Sequence, residues 1–212
     1  MKKNSPSSKS SALIITDVQH DFLPGGALGI EGADEIVPII NALIPRFEWI
    51  FATLDWHPLH HVSFASAHGK KPGEKIRIGS IEQILWPDHC VQNTWGSALA
   101  EGLHRERIAA FFHKGVDPQV DSYSTFFDSA RKRSTGLADR LRKEGVQKLY
   151  FVGLATEYCV LYSVLDALEL GFQAVVIKDA CRPIDLHPGD GEKALQKMRA
   201  KGAEIALSSD CV

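Results

Sequence analysis

Cysteine pairs, long apolar runs and an excess of charge are all missing from this sequence. Its 212 residues hold four cysteines, at positions 90, 159, 181 and 211, with no C-x-x-C spacing. That excludes a disulfide framework and makes a reducing cytoplasm the expected compartment. No apolar run approaches the roughly 20 residues that a membrane helix needs. The formal net charge of −2 gives no electrostatic reason to expect nucleic acid or an anionic membrane as a partner. The basic, serine-rich segment 1–11 is followed by an apolar stretch, Ala12 to Ile15, too short for a signal-peptide core, and reads as a disordered tail. Pro24-Gly25-Gly26-Ala27-Leu28-Gly29 lacks the Gly-Lys-Ser/Thr ending of a phosphate loop and reads as a turn. There is no internal repeat and no linker, so residues 12–212 are expected to form one domain. At 44% hydrophobic and 24% charged, the composition suits a domain with a sizeable core.

What is present is an alternation of strand-like and helix-like stretches. Apolar runs at 12–16, 49–54, 108–112, 148–152, 174–177 and 204–207 read as strands. Helical spacing runs over 33–47, 137–144 and 192–201, and from Val160 to Leu168. Strands alternating with helices predict a parallel sheet covered on both faces, an α/β fold. Residues 56–96 read as one long irregular segment rich in His, Pro and Trp, ordered by those large side chains.

In such sheets ligands bind beyond the carboxyl ends of the strands. Here those ends carry Asp17, Asp55, Lys114, the Cys159 loop and Asp179. Cys159 follows a strand, and Thr156 is positioned to cap the next helix, which puts the thiol in a first helical turn. Unpaired N–H groups and the helix dipole favour a thiolate there. Alone, such a cysteine is more simply a small packing residue. With Asp17 as a base and Lys114 as a cation, it becomes nucleophile machinery: the carboxylate accepts the thiol proton and the ammonium steadies both anions. Asp55, His57 and His89 form a carboxylate–imidazole set suited to zinc, manganese or iron. His60, His61 and His68 read mostly as surface or structural groups. Phe22, Trp86 and Tyr123 fit either plain core packing or a pocket for a flat ring.

Several stretches carry a resemblance. They are Asp17-Val18-Gln19-His20-Asp21-Phe22, Asp55-Trp56-His57-Pro58, Trp86-Pro87-Asp88-His89-Cys90-Val91, Phe112-His113-Lys114-Gly115, Asp121-Ser122-Tyr123-Ser124 and Gly153-Leu154-Ala155-Thr156-Glu157-Tyr158-Cys159-Val160. In this order they are similar to the nicotinamidases among the isochorismatase-like cysteine hydrolases. The resemblance implies a three-layer sandwich around a mainly parallel sheet, and a triad of Asp17, Lys114 and Cys159. It implies one divalent metal on Asp55, His57 and His89, with His61 as an optional further ligand. It also implies a cis peptide before Ala155 and an oxyanion hole made by the Ala155 and Cys159 N–H groups. The activity so implied is hydrolysis of nicotinamide, with pyrazinamide as a side substrate, in NAD salvage. The ring would lie between Phe22 and Trp86, bordered by Tyr123, in a monomer or homo-oligomer. Two positions depart from the family pattern: His20 where Asn is common, and Glu157 where Asp is common. The alternatives are an amidase for carbamoyl or ureido substrates and a non-catalytic thiol sensor.

Overall fold

The computed structural model describes residues 10–211. The tail expected over 1–11 falls outside them up to position 9, and Ser11 already opens the first strand. Six strands form one parallel sheet: β1 (Ser11–Thr16), β2 (Trp49–Asp55), β5 (Ala110–Lys114), β6 (Lys148–Leu154), β7 (Gln173–Arg182) and β8 (Glu204–Ala206), in the order β5-β2-β1-β6-β7-β8. β3 (Lys75–Ile78) and β4 (Ile81–Ile84) make a separate antiparallel hairpin inside the long segment read as irregular.

β1 explains why the sheet is central. All six of its residues are buried, and they alternate between two cores. Leu13 and Ile15 face one core, with Ile36, Ile40 and Leu43 of α1 (Ile36–Leu43). Ala12 and Ile14 face the other. That second core receives Leu137 and Leu141 of α2 (Leu137–Lys143), Leu161 and Val164 of α3 (Leu161–Glu169), and Leu195 and Met198 of α4 (Asp190–Ala200). A strand buried on both faces reads as a continuous apolar run, as this one does. The result is a three-layer α/β sandwich.

The connections set the position of the site. From β1 the chain steps outward to β2 and β5, then returns to lay β6 along the other side of β1 and steps outward again to β7 and β8. The order therefore reverses between β1 and β6, and a crevice opens at their carboxyl ends. Gly153 permits the close contact there: a Cβ at this position would lie 2.0 Å from the Thr16 carbonyl oxygen.

One strand end differs from expectation. β7 continues past Ile177 to Arg182, so Asp179 lies within the strand rather than at its end. Asp179 instead accepts hydrogen bonds from the Ser208 N–H (2.8 Å) and hydroxyl (2.5 Å), fastening the last turn of the chain.

Candidate active site

Asp17 follows β1 directly, in a left-handed conformation (φ 51°) that turns the chain at the crevice. Its Oδ1 accepts the Thr53 hydroxyl at 2.8 Å. Asp55 and Lys114 end the neighbouring strands β2 and β5 and are direct register partners. Asp17, Lys114 and Cys159 are all buried. The Lys114 ammonium lies 2.8 Å from Asp17 Oδ2, 2.6 Å from Asp55 Oδ1, 3.0 Å from the Ser122 carbonyl oxygen and 3.2 Å from Cys159 Sγ. One cation thus has four acceptors for its three N–H groups. The Asp17 and Asp55 oxygens and the Cys159 sulfur come within 4.8 Å of one another.

The local geometry around Cys159 departs from the sequence reading. Thr156 does not cap the helix; Ala155, with extended backbone, holds the cap position, and no side chain bonds there. Thr156–Val160 form one wide turn, in which the Val160 N–H reaches back to the Ala155 carbonyl (3.2 Å), before α3 begins at Leu161. Cys159 therefore sits in a π-type turn rather than in a first α-helical turn. The Leu154–Ala155 peptide is cis.

The electrostatics fit a thiol that needs a base. Burial pushes the Cys159 thiol well above its ordinary range, Lys114 pulls against that rise, and the Asp17 and Asp55 charges add to it. Burial likewise raises Asp17, to about 6, against the pull of Lys114. For Asp55 burial acts upward too, but Lys114 and then His57 drive its carboxyl far below the usual range. Lys114 is held charged: burial disfavours the cation, but Asp17 and Asp55 push its pKa well up. The resting arrangement is a neutral thiol beside a carboxylate–ammonium pair, with Asp17 the group poised to take a proton.

Beside this trio, Asp55, His57 and His89 offer one oxygen and two nitrogens, all within 4.8 Å of one another. Each imidazole is oriented by its far nitrogen. His57 Nδ1 bonds the Gly115 carbonyl oxygen at 3.0 Å, and His89 Nδ1 bonds that of Pro87 at 2.8 Å. Both Nε2 atoms are left facing Asp55, at 3.7 and 3.9 Å. Ligand nitrogens fixed by a bond at the opposite ring atom are the usual support of a divalent ion, so the donor set fits one. Gly115 is required here: its φ is +62°, and a Cβ would lie 2.3 Å from the His57 ring. Gln19 reinforces the same corner by bonding both the N–H and the carbonyl of Asp55, each at 2.8 Å.

His61 packs against His57 with ring centroids 4.3 Å apart, while its Nδ1 bonds Ser63 Oγ at 2.7 Å. His60 is exposed, and His68 bonds the Val62 carbonyl outside the site.

Phe22, Trp86 and Tyr123 line one narrow cavity with Asp55, His57, His89, Ala155 and Cys159. Trp86 Nε1 donates to the Tyr123 hydroxyl at 3.0 Å, locking two of the rings together. Sequence reasoning missed four further lining residues: Leu28, Asp121, Tyr158 and Ile184. The first three lie inside recognisable stretches. Ile184 follows β7 in an unpatterned loop and carries no signal in one sequence.

A parallel α/β sheet with polar groups gathered at the strand-order reversal defines a small-molecule site of the hydrolase type. Residues 11–210 match the Isochorismatase domain, and the chain belongs to that family. It is 46% identical to the nicotinamidase of Escherichia coli (strain K12) over 203 residues, covering 94% of this chain and 95% of that protein. Its fold is similar to a solved structure described as an Acinetobacter baumanii nicotinamidase and pyrazinamidase, with TM-score 0.94, 41% identity and coverage of 97% and 99%. It is also similar to the pyrazinamidase of Pyrococcus horikoshii solved in complex with zinc, with TM-score 0.76, 37% identity and coverage of 93% and 99%.

Proposed function

We propose that this chain hydrolyses nicotinamide to nicotinate and ammonia through a thioester on Cys159, and accepts pyrazinamide as a side substrate. The observation that carries this reading is Cys159 itself: its sulfur lies 3.2 Å from Lys114, which pairs with Asp17, and it lines a ring-walled cavity together with Asp55, His57 and His89. Curated relatives similar to it over most of the chain are nicotinamidases, which supports the same substrate here.

The pyridine ring lies between Phe22 and Trp86, bordered by Tyr123. Asp55, His57 and His89 would hold one divalent ion, zinc, manganese or iron, whose chemistry is to bind the ring nitrogen as a Lewis acid and so orient the substrate. Asp17 takes the Cys159 proton as the sulfur attacks the carboxamide carbon, and Lys114 limits the build-up of negative charge. The Ala155 and Cys159 N–H groups receive the developing oxyanion; losing one such donor typically costs about 10²–10³ in rate. Asp17 returns the proton to the departing ammonia. It then removes a proton from the water that opens the thioester, and the thiol is restored. Nicotinamide and one water give nicotinic acid and ammonia, so the step balances.

Nothing in the site asks for a nucleic acid or a membrane, and among the described residues no helix is long and apolar enough to cross a membrane. All four cysteines are free, which suits a cytoplasmic enzyme recovering the products of NAD breakdown. An ammonia-release assay tests the reading. Turnover of nicotinamide is expected; turnover confined to a ureido or carbamoyl substrate, or none at all, would overturn it.

A further inference from the structure

Between the end of β7 at Arg182 and the start of α4 at Asp190 the chain has no regular structure, yet it supplies Ile184 to the wall of the ring cavity. What holds that wall is legible in the side chains. Glu157 is buried in the turn that carries Cys159, and its Oε1 accepts the Asp185 N–H at 2.7 Å. The Ile184 N–H faces the same carboxylate. Asp185 is left-handed (φ 52°), and its own Oδ1 accepts the Gly191 N–H at 2.7 Å, tying the segment to the first turn of α4. No cation among the described residues pairs with Glu157, and its Oε2 is buried without a hydrogen-bond partner. A carboxylate kept out of water under those terms costs stability. Its positive contribution is the backbone it fastens.

We infer that Glu157 is a positioning residue: it braces the Pro183–Asp185 segment against the nucleophile turn and so holds Ile184 against the substrate ring. This rests on the nicotinamide reading above. It also accounts for Glu rather than Asp at this position, because a side chain one methylene shorter would end about 1.5 Å short of the Asp185 N–H.

The test uses Glu157→Ala, Glu157→Gln, Ile184→Ala and the pair Glu157→Ala with Ile184→Ala. Steady-state kinetics on nicotinamide are combined with the dissociation constant of nicotinamide measured in a Cys159→Ala background, where no turnover occurs. Glu157→Ala should raise both KM and the dissociation constant about tenfold with kcat within about threefold, since the ring wall holds ground and transition states alike. Ile184→Ala should do the same, and the pair should be little worse than either alone, because both remove one wall. Glu157→Gln keeps the reach and the acceptor oxygen and should restore near-normal binding. Amide hydrogen exchange at residues 184–185 should quicken in Glu157→Ala and not in Glu157→Gln.

Unchanged binding in Glu157→Ala, full additivity of the pair, or equal damage from Glu157→Gln would each overturn the inference. If Glu157→Ala does not fold, Ile184→Ala and Glu157→Gln still decide it. An unsubstituted protein that releases no ammonia from nicotinamide sinks the substrate assignment instead, and the exchange measurement then judges the brace by itself.

Discussion

The ammonium of Lys114 lies 3.2 Å from the Cys159 sulfur and, in the same buried spot, 2.6 Å from the carboxylate of Asp55. One cation therefore joins the nucleophile to the group that faces both histidines. Removing it strands two buried carboxylates. Lys114→Met should cost about 3–5 kcal/mol of folding stability, the usual penalty for breaking a buried ion pair from one side. Ammonia release should fall by at least about 10³ as the thiol loses its cationic partner. Denaturant unfolding and initial rates check the two effects separately.

The pH dependence follows from Asp17. Burial, opposed by Lys114, sets its folded pKa at about 6, above its ordinary value of 3.8. The proposed mechanism needs the carboxylate form, so kcat/KM for nicotinamide should fall below pH about 6, tenfold per pH unit, and level off above it. Stability carries the opposite sign for this group. A raised acid binds its proton more tightly when folded, so its contribution is full below pH about 4 and is lost as pH rises through 6. Asp17→Asn should abolish the acid limb together with the activity. An acid limb centred near pH 4 would show that the buried trio does not govern the proton transfer.

Gly115 tests the histidine cluster without touching a ligand. Gly115→Ala would place a methyl group 2.3 Å from the His57 ring, at a backbone φ of +62° that alanine adopts poorly. A strain of about 1–3 kcal/mol is expected, with displacement of His57. Divalent-ion affinity, measured by titration of the apoprotein, should drop by about 10–100-fold, the range typical when the support of a ligand is lost.

Removal of the ion by a chelator should raise KM for nicotinamide more than it lowers kcat, because the attacking group is Cys159 and the ion orients the ring. Readdition of zinc, manganese or iron should recover binding. A verified metal-free preparation with unaltered KM would remove the orienting role.

Much of the framework was open to a sequence reading because both-face burial leaves continuous apolar runs. β1, β2 and β6 are visible for that reason; β2 ends on Asp55, and Asp17 and Ala155 directly follow β1 and β6. The β3–β4 hairpin was missed although Gly79-Ser80 is a two-residue turn signal, with Gly79 at φ 60°. Its strands are only four residues long and half exposed, so their alternation is weak. The wide turn at Thr156–Val160 depends on a hydrogen bond between residues five apart, and residue types alone give no sign of it. The complete burial of Cys159, which pushes its thiol up, depends on packing from distant stretches that residue types around it do not show. Ile184 lies in a loop whose bonds run from Asp185 to Glu157 and to Gly191, links between distant or unpatterned positions that carry no sequence signal.

The most direct measurement is mass spectrometry of the protein quenched in acid during turnover of nicotinamide. A nicotinoyl group should be found on Cys159 and absent from Cys90, Cys181 and Cys211, and it should vanish in Cys159→Ala while nicotinamide still binds. Steady turnover with no adduct on Cys159, or a Cys159→Ala protein that still releases ammonia, would contradict the account.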